Sequence, residues 1–295
     1  MAYRYPILKW AGGKSAILES LQDYFGPGEV FVEPFVGSGV VFLNCDYPHY
    51  ILADGNEDLI NTYLLVKEQP EELIGELAKI WKEELRCKEF YLDLRAEFNQ
   101  DPGAKSLRRS AIFLYMNHAG FHGLCRYNAS GLFNVPFGPV KQILPPFPDD
   151  KIRIFSSCLQ RAEIYCQDFA ATFAMAGDHS VIYCDPPYAP LTDTTFDKYD
   201  KDGFSLGDQM RLHDVVVDHV RKHQDVSVYI SNHSTDFTEH MYRDADSVDY
   251  LMVRRRIARA ADERKDVREL VATYTSAVQK ERTPVSAVRM RVGAG

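Results

Sequence analysis

Apolar residues follow two rhythms along this 295-residue chain. Ile17, Leu18, Leu21 and Phe25 recur at helical spacing and predict a helix that Gly26-Pro27-Gly28 stops. Val30-Phe31-Val32 is a short continuous apolar run of the kind a buried strand shows. Glu33-Pro34-Phe35-Val36-Gly37-Ser38-Gly39 follows it, and then a helical stretch through Phe42 and Leu43. Tyr50-Ile51-Leu52-Ala53 predicts a second strand, closed by Asp54-Gly55-Asn56. Strand, glycine turn, helix, strand and acid in this succession open a doubly wound α/β domain.

From Glu57 to Gln100 the rhythm becomes that of successive helices, with Phe90, Tyr91, Leu94 and Phe98 on one face. Another helix is predicted near Arg108–Met116, and then a loop from Asn117 to Pro148 that is dense in Gly, Asn, Pro and aromatics. Strand signals resume at Ile164-Tyr165-Cys166, at Val181-Ile182-Tyr183-Cys184 and across Val226–Ile230. The pattern therefore places a helical domain, residues 57–158, inside a discontinuous α/β domain of residues 1–56 and 159–278. Residues 279–295 lack periodicity, so a mobile tail is expected there. Trp81 and the row Phe90, Tyr91 and Phe98 are expected in the core of the insert.

A composition of 45% hydrophobic and 26% charged residues suits a soluble globular chain and excludes a disordered or collagenous one. No apolar run approaches the roughly 18 residues of a membrane helix. Met1-Ala2-Tyr3-Arg4-Tyr5-Pro6 lacks a signal core, so secretion is not expected. Six cysteines (45, 87, 125, 158, 166 and 184) include no CxxC pair. That argues against a disulfide framework or a zinc site, and reduced, mostly buried thiols of a cytoplasmic protein are expected. The net charge of −8 is unevenly placed. No Asp or Glu occurs from Pro102 to Pro148, which carries Lys105, Arg108, Arg109, Arg126 and Lys141 with His118 and His122. Arg254-Arg255-Arg256 and Arg259 form a second basic knot. A positive field aimed at a polyanion and an ordinary solvated strip both fit that charge pattern.

Three motifs bear on chemistry. The glycine turn Phe35–Gly39 leaves helix amides open to a ligand, and Asp54 at the end of the next strand suits ribose hydroxyls, so the pair points to a nucleoside. Gly12-Gly13-Lys14-Ser15 is not a P-loop, because Leu8 stands where its first glycine is required. Asp185-Pro186-Pro187-Tyr188 follows a strand at the sheet edge where α/β folds place their sites. Two prolines fix the backbone and remove two amide donors, leaving carbonyl acceptors. With the Asp185 carboxylate and the flat Tyr188 ring they suit a planar base bearing an exocyclic amine, whose protons go to Asp185 and the Pro186 carbonyl. A rigid loop with a capping Asp is the plain structural alternative. His213, His219 and His223 are expected on a solvated helix face, not at a metal.

KWAGGK, PFVGSG, ILAD and DPPY occur in this order in the Dam-type, class D12 DNA N6-adenine methyltransferases, which the chain resembles from Tyr5 to about Tyr274. RRSAIFLYMNHAGFHGLCRYNASGLFNVPFG resembles that family's target-recognition segment. IYCQDF, the spaced Phe196, Tyr199 and Phe204, and Ser231-Asn232-His233 match as well. The resemblance implies a methyltransferase fold with a mixed, mostly parallel Rossmann-like sheet, and a helical recognition domain inserted in it. By the same resemblance Trp10 and Lys14 contact S-adenosylmethionine, Gly37 and Gly39 let the backbone approach it, and Asp54 holds its ribose. Phe35 and Phe169 enclose its adenine with Asp168 alongside, and Asp185 serves both donor and target base. Lys9 reads the first guanine, and Leu124, Arg126, Asn128 and Pro136 belong to the DNA-facing set. Phe121 and His122 stand where relatives carry Tyr-Asn, inserting into the duplex and facing the orphaned base. Residues 254–265 depart from the polar loop of relatives, which leaves their DNA contacts open.

The expected function is methyl transfer from S-adenosylmethionine to N6 of a flipped-out adenine in duplex DNA, within GATC, by a cytoplasmic monomer with no metal and no membrane partner. Rival readings are the same chemistry on cytosine N4, RNA adenine or a glutamine amide, and a catalytically silent DNA-binding regulator. Arg126 is the expected guanine reader, while Arg108 and Arg109 on a helix suit phosphate contact or solvation.

Overall fold

The computed structural model describes residues 3–139, 144–190, 204–254, 266–277 and 290–292. Lys141, Phe196, Tyr199, Arg255, Arg256 and Arg259 lie outside the described residues, as does most of the expected tail. The chain forms two compact units. Met1–Lys14, Gly37–Cys45 and Asp54–Cys166 make the first, and Ser15–Val36, Asp46–Ala53 and Gln167–Gly295 the second.

The strands are β1 (Val30–Glu33), β2 (His49–Asp54), β3 (Ala162–Cys166), β4 (Ser180–Cys184), β5 (Ser227–His233), β6 (Ser247–Arg254), β7 (Asp266–Thr275) and β8 (Met290–Val292). In the second unit they lie in the order β2-β1-β4-β5-β7-β6-β8. β2, β1, β4 and β5 run parallel, whereas β7 is antiparallel to both β5 and β6. All five residues of β4 and all seven of β5 are buried, which is why β4 reads as a nearly unbroken apolar run, whereas β5 ends in the buried polar residues Ser231, Asn232 and His233. The order reverses between β1 and β4, a switch point beyond whose carboxyl ends open α/β sheets bind ligands. Asp185 follows one residue past the Cys184–Ile230 pair, so β5 delivers Ser231-Asn232-His233 next to it.

The first unit holds α2 (Val40–Asn44), α3 (Glu57–Glu68), α4 (Pro70–Ile80), α5 (Lys88–Phe98), α6 (Leu107–Ala119) and α7 (Asp149–Leu159), after α1 (Leu18–Gln22) of the second. Ten of the thirteen residues of α6 are buried, so its Ala111–Met116 run makes it the central helix, against α3, α4 and α5. Ser106 caps it, and Asn56 caps α3. Trp81, Tyr91 and Phe98 are buried here as expected, while Phe90 is half-buried. The second unit adds α8 (Phe169–Met175), α9 (Leu206–Lys222) and α10 (Asp236–Met241).

Several expectations change. Three residues of the expected tail form β8, parallel to β6. Only Cys45 and Cys184 are buried; Cys87 and Cys166 are exposed. His219 is not on a solvated face: it packs edge-on to Phe173 and against His223, and burial pulls its pKa down to about 4. Arg108 forks onto Glu97, and Arg109 forms a buried ion pair with Asp58 at 2.7 Å while lying on the Phe98 ring. The Arg109 guanidinium is thus committed inside the protein, not to solvent or a phosphate, whereas Arg108 remains on the surface beside Glu97. Among the described residues, no group of side chains is arranged to hold a metal and no helix is long and apolar enough to cross a membrane.

Candidate functional site

In the second unit, the Asp185-Pro186-Pro187-Tyr188 loop is fastened by buried side chains. Gln209 of α9 donates to the Pro187 carbonyl at 2.7 Å. Asn232 of β5 accepts the Ala189 amide at 3.0 Å and donates to Gln209 at 3.0 Å. The His233 ring bonds the Ala189 carbonyl at 2.8 Å and meets the Tyr188 ring edge-on at 4.7 Å. Tyr188 donates its hydroxyl to Glu269 of β7 at 2.9 Å, and its burial, with Asp185 close by, pushes its pKa well above the usual phenol value. Tyr188 is therefore a neutral ring whose polar end is engaged. A prolyl loop with only two amide donors in four residues is held here through its carbonyls and its flanks. Of Ser231-Asn232-His233, the last two hold the loop, while Ser231 pairs with the Tyr183 hydroxyl at 2.9 Å. Gln209 and Glu269 carried no sequence signal, because they reach the loop from elements remote in the chain.

The same unit carries an aromatic cluster. Phe35 and Phe169 have ring centroids 5.6 Å apart at 32°, and Phe204 meets both, at 5.6 and 5.9 Å. A flat ring sandwiched between two others needs about 7 Å, twice the ~3.5 Å contact distance. Phe35 and Phe169 therefore touch each other instead of bracketing a gap, and a planar ligand must stack on an outer face or part them. Asp168 caps α8 through the Ala170 amide at 2.9 Å and receives a two-pronged contact from Arg211 at 2.8 and 2.7 Å. That guanidinium holds the Asp168 carboxyl below the usual carboxylate range and also covers the Phe169 ring at 4.0 Å.

The first unit contributes the glycine turn. Gly37 has φ of 47°, and a Cβ there would lie 2.8 Å from the Trp10 indole, so Trp10 packs directly on backbone. Gly39 caps α2 at φ of 69°. The Gly37 amide donates to one Asp54 oxygen at 3.0 Å and the Asn56 amide to the other at 2.9 Å. Burial pushes the Asp54 pKa up, opposed by those amides and that of Gly55. Each carboxylate oxygen has a second lone pair, so the pair of oxygens remains suited to two vicinal hydroxyls. Lys14 is buried, with the Gly12 carbonyl among its partners at 2.8 Å.

The loop after α6 brings the remaining candidates together. Asn117 clamps Lys9 by accepting from its amide and donating to its carbonyl, both at 2.8 Å, and reaches the Gly123 carbonyl at 3.1 Å. Phe121, His122, Arg126, Asn128 and Pro136 are exposed, and Leu124 is half-buried. His122 takes a left-handed φ of 54°, a conformation in which a non-glycine residue is strained. Gly123 beside it, at φ of 68°, presses on the Lys9 side chain. Arg126 is steered by Asn134 at 2.7 Å, and Asn128 folds the turn by accepting the Ser130 and Leu132 amides. Tyr127 donates to Asp58 at 2.6 Å, joining the loop to the Asp58–Arg109 pair. The acid-free stretch thus resolves into two sets, carboxylate-paired arginines on α6, of which Arg109 is buried, and the exposed side chains of the loop that follows.

A family model described as D12 class N6 adenine-specific DNA methyltransferase matches residues 10–257. The DNA adenine methylase of Vibrio cholerae is 46% identical over 269 residues, covering 91% of this chain and 95% of the relative. That of Escherichia coli K12 is 44% identical over 274 residues, covering 92% and 95%. The solved structure of SMU.472, described as a methyltransferase complexed with SAH, aligns over 93% of this chain and 55% of its own. Its TM-score of 0.34 and 12% identity carry no argument here.

Proposed function

This chain belongs to the D12 class of N6 adenine-specific DNA methyltransferases, and on that premise we propose that it methylates a flipped-out adenine within GATC in duplex DNA. The observation that carries the reading is the Asp185–Tyr188 loop, pinned from Gln209, Asn232 and His233 so that its acceptors keep one position. S-adenosylmethionine is the proposed donor, and when bound it supplies an electrophilic methyl group. Asp54 would hold its ribose hydroxyls, and Phe35 or Phe169 its adenine face, with Trp10, Lys14, Gly37, Gly39 and Asp168 around it. Asp185 and the Pro186 carbonyl would accept the two N–H groups of the target amine, leaving the nitrogen lone pair directed at the incoming methyl. Tyr188 would support the extruded ring by stacking. Alignment in a water-poor pocket then carries most of the rate, so Asp185 need not be a strong base.

Residues 57–158 are the proposed reading domain, within a catalytic domain of residues 1–56 and 159–278. Lys9, Leu124, Arg126, Asn128 and Pro136 would meet the site, Phe121 would fill the space left by the flipped base, and His122 would face its partner. Action as a cytoplasmic monomer without a metal completes the proposal. The test is methylation of an unmodified plasmid followed by single-base mapping. N6-methyladenine at GATC is the expected result; N4-methylcytosine, methyladenine in another sequence, or no incorporation from labelled donor would refute it.

A further inference from the structure

Arg86 ends the short 3-10 helix Glu83–Leu85 in the first unit, its amide bonded to the Glu83 carbonyl at 3.0 Å. Its guanidinium lies over the Phe137 ring, 5.6 Å from the centroid. The side chain is half-buried: among the described residues Nε and one terminal nitrogen have no hydrogen-bond partner and are shielded from solvent, so the other terminal nitrogen is the one left to meet a molecule from outside. Among the described residues no carboxylate is within ion-pair distance of it, Glu83 and Glu84 included. Arginines 108, 109, 153, 211 and 268 each hold a carboxylate, and Arg4, Arg95 and Arg126 each reach a carbonyl or amide oxygen. A second cation, Lys9, feels its charge: burial and Arg86 both lower the Lys9 pKa. Phe137, under the guanidinium, pairs with Gly120, and the adjacent Pro136 carbonyl accepts the Phe121 amide at 3.0 Å. Arg86 therefore stands against the loop that presents Phe121, Arg126 and Pro136.

An unmatched guanidinium beside a second cation, in a protein of net charge −8, is a site in want of an anion. We propose that Arg86 contacts a backbone phosphate of the bound duplex, fixing register next to Lys9 and carrying no sequence information of its own. The inference rests on the reading that this loop faces DNA.

Anisotropy of short fluorescent duplexes with and without GATC, measured with S-adenosylhomocysteine present across a potassium chloride series, tests it. Arg86→Ala should weaken both duplexes alike, by about tenfold at the lowest salt, and flatten the slope of log affinity against log salt by about 0.9, the share of one phosphate. Its melting temperature should hold or rise, because an orphaned cation is removed, and Arg86→Lys should restore most of the slope. An unchanged slope with a lower melting temperature would make Arg86 a packing residue. Weakening confined to the GATC duplex would make it a base reader. Either result overturns the proposal. Arg126→Ala runs in parallel: if it too binds both duplexes as wild type does, the placement of DNA on this loop fails. If only Arg86→Ala is silent, the phosphate contact alone fails.

Discussion

The Asp185–Tyr188 loop is fastened by buried side chains of α9 and β5 and by half-buried Glu269 of β7, whereas the loop from Gly120 to Phe137 is held at its base by Tyr91 and Arg95 of α5 and Asn99 just after it, and leaves its tips exposed. The first has Gln209, Asn232 and His233 behind it. The second uses Gly120–Phe137 and Tyr127–Phe133 bridges, with Tyr127 as its deep anchor on Asp58, and leaves Arg126 and Phe121 in solvent. Proximity catalysis needs acceptors that do not move, and a buried polar network supplies that rigidity. Reading a groove needs long side chains that can reach out, and here the backbone is held while the tips stand in solvent. Damage to the first loop should therefore appear as rate, and damage to the second as discrimination.

The largest expected effect tests the first half. Asp185→Asn should lower single-turnover methylation by about 10²–10³-fold or more, the scale of losing one preorganised charged partner, with the melting curve nearly unchanged. Wild-type turnover in a folded Asp185→Asn protein would remove Asp185 from the chemistry. Next, Asn232→Leu leaves the buried Ala189 amide and Gln209 unmatched. It should cost about 2–6 kcal/mol of stability, at roughly 1–3 kcal/mol for each of the two orphaned groups, and slow turnover on every duplex. Denaturant titration with an unchanged midpoint would show that the network does not hold the loop. Asp54→Ala should weaken donor binding by about 1–3 kcal/mol in calorimetry, with donor-free DNA affinity unmoved; equal donor affinity would contradict the ribose role. The smallest effect at neutral pH belongs to His219. Its folded pKa, about 4, is below the unfolded value, so the unfolded state binds more protons and stability falls as pH drops from about 6.5 toward 4. His219→Leu should flatten that part of the stability profile while leaving pH 7.5 almost untouched, and a profile as steep as wild type would place the titration elsewhere.

The sequence was most legible where one local rule decided the outcome. Parallel strands covered on both faces gave short apolar runs at β1 and β4, and the turn Phe35–Gly39 demanded glycine at Gly37 for the Trp10 contact. It was least legible where partners come from afar. Whether Arg109 faces solvent or Asp58, 51 residues away, is not written in the α6 pattern. Arg86 lies outside the acid-free stretch, so composition did not flag it. Neither β6 nor β7 stood out, because antiparallel strands next to a sheet edge mix polar and apolar residues. Phe35 and Phe169, which the family resemblance implied would enclose a ring, lie 5.6 Å apart and touch each other, a spacing no motif encodes.

The division between chemistry and reading is tested most directly by single-turnover methylation of GATC and each of its single-base variants by wild type, Asp185→Asn and Arg126→Ala. The account predicts that Asp185→Asn slows all duplexes by one common factor. Arg126→Ala should lose about 1–3 kcal/mol of discrimination at one guanine and retain its ratios at the other positions. A common factor for Arg126→Ala, or altered ratios for Asp185→Asn, would contradict it.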